Sequence, residues 1–169
     1  MTLEGAYDEP MKLLLHACCG PCSLEPVRIL AEAGHDITIA YLNSNIAPAS
    51  EYEHRLKTLL EWAKSQNIPV IEGPYEPATW QNAVKQTWDG TQENRADRCR
   101  ACYRIRLKEL ARYAHEHGFE GIGTTLTVSP YQYIDIINEE LERAAAPYEG
   151  LSAVFQDFRE FYPQATIRS

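Results

Sequence analysis

Residues 11–23 read MKLLLHACCGPCS, a short apolar run that ends in three closely spaced cysteines, Cys18, Cys19 and Cys22. Leucines 13–15 predict a buried strand, Gly20 and Pro21 a turn, and Ser23 with Pro26 the opening of a helix that runs to Ala33. The thiols then sit on a strand-to-helix turn. A helix N-terminus carries partial positive charge and unpaired N–H groups, so it favours thiolates and their ligation to metals.

Outward from this stretch, strand and helix signals alternate. Gly34 predicts a helix stop, and residues 37–42 (ITIAYL) a second buried strand followed by a polar loop over 43–49. Ser50 with Glu53 reads as a capping box for a helix ending near Asn67, its apolar face formed by Leu56, Leu59, Leu60 and Ala63. Residues 69–71 predict a third strand. Glu76–Pro77 predicts a helix carrying Trp80, Ala83 and Val84 inward, and residues 88–96 a polar loop that delivers Cys99. A helix from Cys102 to Gly118 should bury Ile105, Leu110, Tyr113 and Ala114. Residues 121–126 predict a fourth strand, Ser129–Pro130 with Gln132 a capping box for a helix to Ala145, and residues 153–158 a last strand. Such alternation implies a parallel sheet covered by helices on both faces, with the site at the strand ends.

The 169 residues fit one α/β domain. No apolar run approaches the roughly 20 residues that span a bilayer, and residues 1–10 are acidic, polar and expected to be flexible, so a cytoplasmic protein without a membrane partner is expected. Five cysteines crowded into two short segments suit metal binding or redox catalysis better than a disulfide framework. The net charge of −8 argues against bulk electrostatic coating of nucleic acid. Yet seven of the 16 basic residues, Arg95, Arg98, Arg100, Arg104, Arg106, Lys108 and Arg112, surround the second cysteine pair, with Asp97 and Glu109 as the only opposing charges.

Cys18, Cys19, Cys99 and Cys102 make a complete all-cysteine ligand set for a 4Fe–4S cluster. A zinc site from Cys19, Cys22, Cys99 and Cys102 would use the same residue type but leave Cys18 idle. Adjacent residues rarely turn both sulfurs to one small ion, whereas a cubane offers separate corners. Cys19-Gly-Pro-Cys22 also spells a dithiol motif of oxidoreductases, which would leave the second pair without a role. His16 either donates a hydrogen bond to a cluster sulfur or substrate, or is satisfied in the core. Thr124, Thr125 and the segment Ser129, Tyr131, Gln132 either bind an anion or sugar at a helix N-terminus or simply cap it. Arg95, Arg98, Arg100 and Arg104 suit an anionic partner, and Tyr103, Tyr131 and Tyr133 are candidates for stacking on a base or for the core.

Three segments, LLLHACCGPC (13–22), RCRACYRIRL (98–107) and TTLTVSPYQ (124–132), in this order and at these separations, resemble the epoxyqueuosine reductase QueH family. The resemblance covers about residues 13–158. It implies a Rossmann-like (HUP-like) enzyme that reduces the epoxide of epoxyqueuosine at the tRNA wobble position to queuosine, with an electron donor still to be identified. It implies a 4Fe–4S cluster on Cys18, Cys19, Cys99 and Cys102, and a possible adjacent mononuclear iron or other metal at Cys22. Cys22 and His16 are then the candidate catalytic residues, and Arg95, Arg98, Arg100, Thr124, Ser129 and Tyr131 the candidate substrate contacts. Family members continue past the segment matching residues 161–169 into a tail with a C-x-C pair regarded as a redox-active disulfide. This sequence contains no such pair. It is expected to be either a truncated product or a chain that has lost that step. The alternatives from the residues alone are a zinc-stabilised RNA-binding module without catalysis and a C-G-P-C dithiol oxidoreductase.

Overall fold

The computed structural model describes residues 10–18, 20–87, 95–129 and 131–161, the side chains of Pro21, Cys22, Thr87 and Phe161 excepted. The expected flexible stretch 1–10 lies outside this range apart from Pro10. Five parallel strands, β1 (Lys12–His16), β2 (Asp36–Tyr41), β3 (Val70–Glu72), β4 (Gly121–Thr124) and β5 (Ser152–Ala153), stand in the order β3-β2-β1-β4-β5. Five helices connect them: α1 (Gly20–Glu32), α2 (Ala49–Ser65), α3 (Pro77–Thr87), α4 (Arg95–Glu116) and α5 (Ile134–Ala145). This is the Rossmann-like α/β architecture that the alternating signals imply.

The pleat divides the core in two. Leu13 and Leu15 of β1 and Ile37, Ile39 and Tyr41 of β2 pack with Val27 and Leu30 of α1 and Tyr52 and Leu59 of α2. Leu14, Ala40 and Ile122 point the other way, against Tyr103, Leu107 and Leu110 of α4 and Ile137 and Leu141 of α5. Strand residues are therefore apolar on both faces, as a sheet sandwiched between helices requires. β1 pairs with β2 through Leu15↔Ile39 and with β4 through Leu15↔Gly123. The chain leaves β1 towards β2 and β3 and later returns to β4 on the other side, so a crevice opens beyond the C-terminal ends of β1 and β4.

Helix boundaries depart from expectation in instructive ways. α1 begins at Gly20, so Pro21 occupies its first turn, where a missing N–H costs nothing, and Ser23 is buried inside the helix instead of capping it. The N-cap of α2 is Pro48 and that of α5 is Tyr133, neither with a side-chain cap bond, so both expected capping boxes are absent. Ser129 Oγ instead accepts the N–H of Tyr131 at 3.2 Å, stabilising the turn before α5. The strand expected over 121–126 ends at Thr124 and gives way to a 3-10 turn at Leu126–Val128, while β5 is only two residues long. Ile105 and Tyr113, expected inside, are only partly buried. The helix stops at Gly34 and Gly118 hold: both are at positive φ, +94° and +75°, a conformation that other residues adopt only with strain.

The candidate metal and substrate site at the strand ends

α4 starts at Arg95, so Cys99 does not lie on a loop as expected: Cys99 and Cys102 are one turn apart on one helix. Spacing of i and i+3 puts both on the same face, and both are buried. Cys18 lies two residues beyond β1, half-buried, and packs against the same apolar cluster that contains Cys99. None of the three forms a disulfide. Cys19 and the Cys22 side chain lie outside the described residues, so two of the expected ligand positions have no geometry here. Among the described residues no three Cys, His, Asp or Glu side chains stand close enough to share one ion.

A buried polar network joins the two cysteine segments. Asn43, just past β2, donates Nδ2–H to the Ala17 carbonyl at 2.9 Å, which fixes the orientation of its amide. Its Oδ1 therefore faces His16 Nε2 at 3.1 Å and Arg106 Nη2 at 2.7 Å. His16 Nε2 also lies 3.2 Å from Arg106 Nη2, and His16 Nδ1 pairs with the Thr124 hydroxyl at 3.0 Å, whose oxygen in turn accepts the Leu126 N–H at 3.1 Å. Burial, aided by the Arg106 guanidinium, pulls the His16 pKa down to about 3, so the imidazole is neutral at physiological pH. His16 and Thr124 end β1 and β4, and the network thus stands at the sheet's crevice.

Arg106, four residues after Cys102 and on the same helix face, completes it. Its Nε donates to the Leu42 carbonyl at 3.3 Å and its Nη1 to the Cys102 sulfur at 3.6 Å. The side chain is 5% exposed, and no carboxylate among the described residues forms an ion pair with it. Arg106 also lines a cleft of about 270 Å³ with Ser44, Lys108, Arg112 and Tyr148, open to solvent on the α4 side. Beside the cysteines, the Tyr103 hydroxyl donates to Gln132 Oε1 and accepts the Tyr133 N–H at 3.4 Å, and burial with the neighbouring thiols holds it protonated.

The other sequence candidates separate into two groups. Arg95 is exposed and lies over the Tyr133 ring at 5.6 Å, and Arg98 over the Trp80 ring at 5.5 Å. Tyr131 is exposed, whereas Thr124 is buried in the network. Arg100 and Arg104 belong elsewhere: both bind Glu140 of α5, at 2.9 and 2.8 Å, and Arg100 also binds Glu139. The sequence reading did not single out Arg106, Asn43 or Glu140. The i, i+4 relation of Arg106 to Cys102 is a signal that places it on the cysteine face, and the position of Asn43 right after a buried strand points to a strand-end site. For Glu140 no sequence signal distinguishes a buried carboxylate from the surface acids around it.

The model of the family described as epoxyqueuosine reductase QueH matches residues 13–169. Proteins of that name from Histophilus somni, Haemophilus influenzae and Staphylococcus aureus are 35%, 36% and 37% identical over 147, 145 and 134 residues, which is 87%, 85% and 76% of this chain. The chain spans 59%, 58% and 55% of those relatives' lengths. With the family pattern matched from β1 through α4 to the segment beyond β5, the chain belongs to the epoxyqueuosine reductase QueH family.

Proposed function

We propose that this protein reduces the epoxide of epoxyqueuosine at the tRNA wobble position, giving queuosine, and that it does so in the cytoplasm with a 4Fe–4S cluster held by Cys18, Cys19, Cys99 and Cys102. The observation that carries the reading is the meeting of Cys18 with Cys99 at one apolar cluster, next to a buried guanidinium that contacts the Cys102 sulfur and lacks a carboxylate. An anionic metal–thiolate group suits that charge, whereas neutral free thiols leave it unbalanced. Among the described residues no helix is long and apolar enough to cross a membrane.

Removal of the epoxide oxygen as water consumes two electrons and two protons and leaves an alkene. When bound, the cluster would supply single electrons, and a metal ion held with Cys22 would supply a Lewis-acidic centre for the oxygen. The chain's own residues bind and orient. His16 is neutral and hydrogen-bonded within the core, tying the β1 end to Asn43 and Thr124. Thr125, buried and with its hydroxyl unpartnered, has a hydrogen bond to offer at the same strand end. Arg95, exposed at the start of α4, and Tyr131, exposed in the turn before α5, suit phosphate and base contacts with the anticodon arm. The electrons come from an external donor.

The test is to reconstitute the chain anaerobically, incubate it with epoxyqueuosine tRNA and a chemical reductant, and digest the tRNA for mass spectrometry. Queuosine is expected. Its absence, while a full-length relative produces it under the same conditions, refutes the activity for this chain. A colourless protein with one zinc would instead support the RNA-binding module.

A further inference from the structure

Arg106 is the only buried arginine or lysine among the described residues. An ionised side chain taken out of water costs several kcal/mol unless an opposite charge and hydrogen bonds replace the lost hydration. Its bonds to Leu42 O and Asn43 Oδ1 satisfy individual N–H groups with neutral acceptors, so they orient the guanidinium without balancing its charge. Nη2 also lies 3.2 Å from the neutral His16 Nε2, which leaves the Cys102 sulfur, 3.6 Å from Nη1, as the partner able to carry negative charge. Asn43 is itself locked by Ala17 O, and the helix places Arg106 one turn beyond Cys102, so the planar fork is held in place by backbone on both sides.

Resting on the 4Fe–4S reading above, we propose that Arg106 is a positioning residue for the Cys102 thiolate and sets the cluster's reduction potential. It donates an N–H to the ligand sulfur and places a fixed positive charge beside a group that becomes more negative when it gains an electron. Hydrogen bonds to ligand sulfurs and nearby charge are the means by which proteins tune such potentials. The step concerned is the entry of one electron from an external one-electron donor. No proton or bond is exchanged, and the cation favours the reduced form.

The experiment is an anaerobic dithionite titration followed by electron paramagnetic resonance, on the reconstituted wild type, Arg106→Met and Arg106→Lys. Arg106→Met should shift the one-electron equilibrium at least tenfold towards the oxidised cluster, about 59 mV more negative. Arg106→Lys keeps the charge and should recover part of that shift. Independently of any variant's folding, wild-type protein carrying [15N]arginine should show a 15N hyperfine coupling to the reduced cluster, and the lysine variant should lose it. A wild-type potential in both variants at full cluster content, or no 15N coupling in the wild type, overturns the proposal. A wild type that assembles no cluster at all refutes the functional reading instead.

Discussion

Helix α4 packs against two buried charges of opposite sign, Glu140 of α5 and its own Arg106, and the two sites are built differently. Glu140, 1% exposed where α5 crosses α4, is met by Arg100 at 2.9 Å, Arg104 at 2.8 Å and Arg143 at 3.5 Å. Burial pushes its carboxyl up, but the hydrogen bonds from Arg104 and Arg100 outweigh that and leave its pKa below the ordinary carboxylate value. Arg106, on the face towards the sheet, has neutral acceptors and a thiol around it. The first site is complete within the protein and ties two helices together. The second has no carboxylate partner among the described residues, and that asymmetry is the ground for proposing the sheet side of α4 as the functional one.

The largest effect expected from disturbing the functional side is all-or-none. Cys99→Ser and Cys102→Ser should each abolish stable cluster incorporation and turnover, read as iron content and queuosine yield, while the apo chains keep the wild-type circular dichroism. If either variant loads a full cluster, its cysteine is not a ligand.

The two charge sites should also respond oppositely to cofactor loading. Reconstitution should stabilise the wild type more than Arg106→Met by about 1.5–3 kcal/mol, the worth of a hydrogen bond to a charged group, whereas Glu140→Gln should leave the gain unchanged. Glu140→Gln should instead lower the stability of apo and loaded protein alike by about 1–2 kcal/mol, at the low end for a buried pair because its arginines remain partly hydrated. A depressed folded pKa means that the Glu140 contribution is present above the unfolded value of about 4.3 and is lost as pH falls through the folded one. Urea melts between pH 7 and pH 3 should therefore show the wild type converging on the glutamine variant in acid.

The smallest effect concerns RNA. Arg95→Ala should weaken tRNA binding about threefold and reduce the salt slope by about one. Arg100→Ala should change stability more than RNA affinity, since its guanidinium is committed to Glu139 and Glu140. Equal losses of affinity in both variants would show that the ion pairs to α5 do not withhold Arg100 from phosphate.

This division was only half legible in the residues. The strands could be read because apolar runs such as 13–15 and 37–42 are buried on both faces, and a Gly at positive φ ends a helix whatever its tertiary setting. The cysteine segments pointed to metal binding or thiol chemistry through their spacing, and Cys19 and the Cys22 side chain lie outside the described residues. Helix starts were misjudged at Ser23, Ser50 and Ser129 because a capping residue is only a local option. Tertiary packing began α1 three residues earlier and α5 several residues later, which buried Ser23 and left Ser129 to a turn. Cys99 was assigned to a loop because the arginines around it hide the apolar stripe of a helix whose exposed face is almost wholly charged. The sorting of the seven basic residues into bound, buried and exposed depends on what α5 and β2 bring alongside, and no local pattern encodes that.

The most direct test of the central claim is the metal and acid-labile sulfide content of the anaerobically reconstituted chain, measured beside Arg106→Met and Cys102→Ser. The wild type should hold about four iron and about four sulfide per chain, with a broad absorption near about 400 nm that air destroys, and Cys102→Ser should hold neither. A colourless wild type with a single zinc and no sulfide would contradict the cluster and, with it, the reason for a buried guanidinium at the cysteine face.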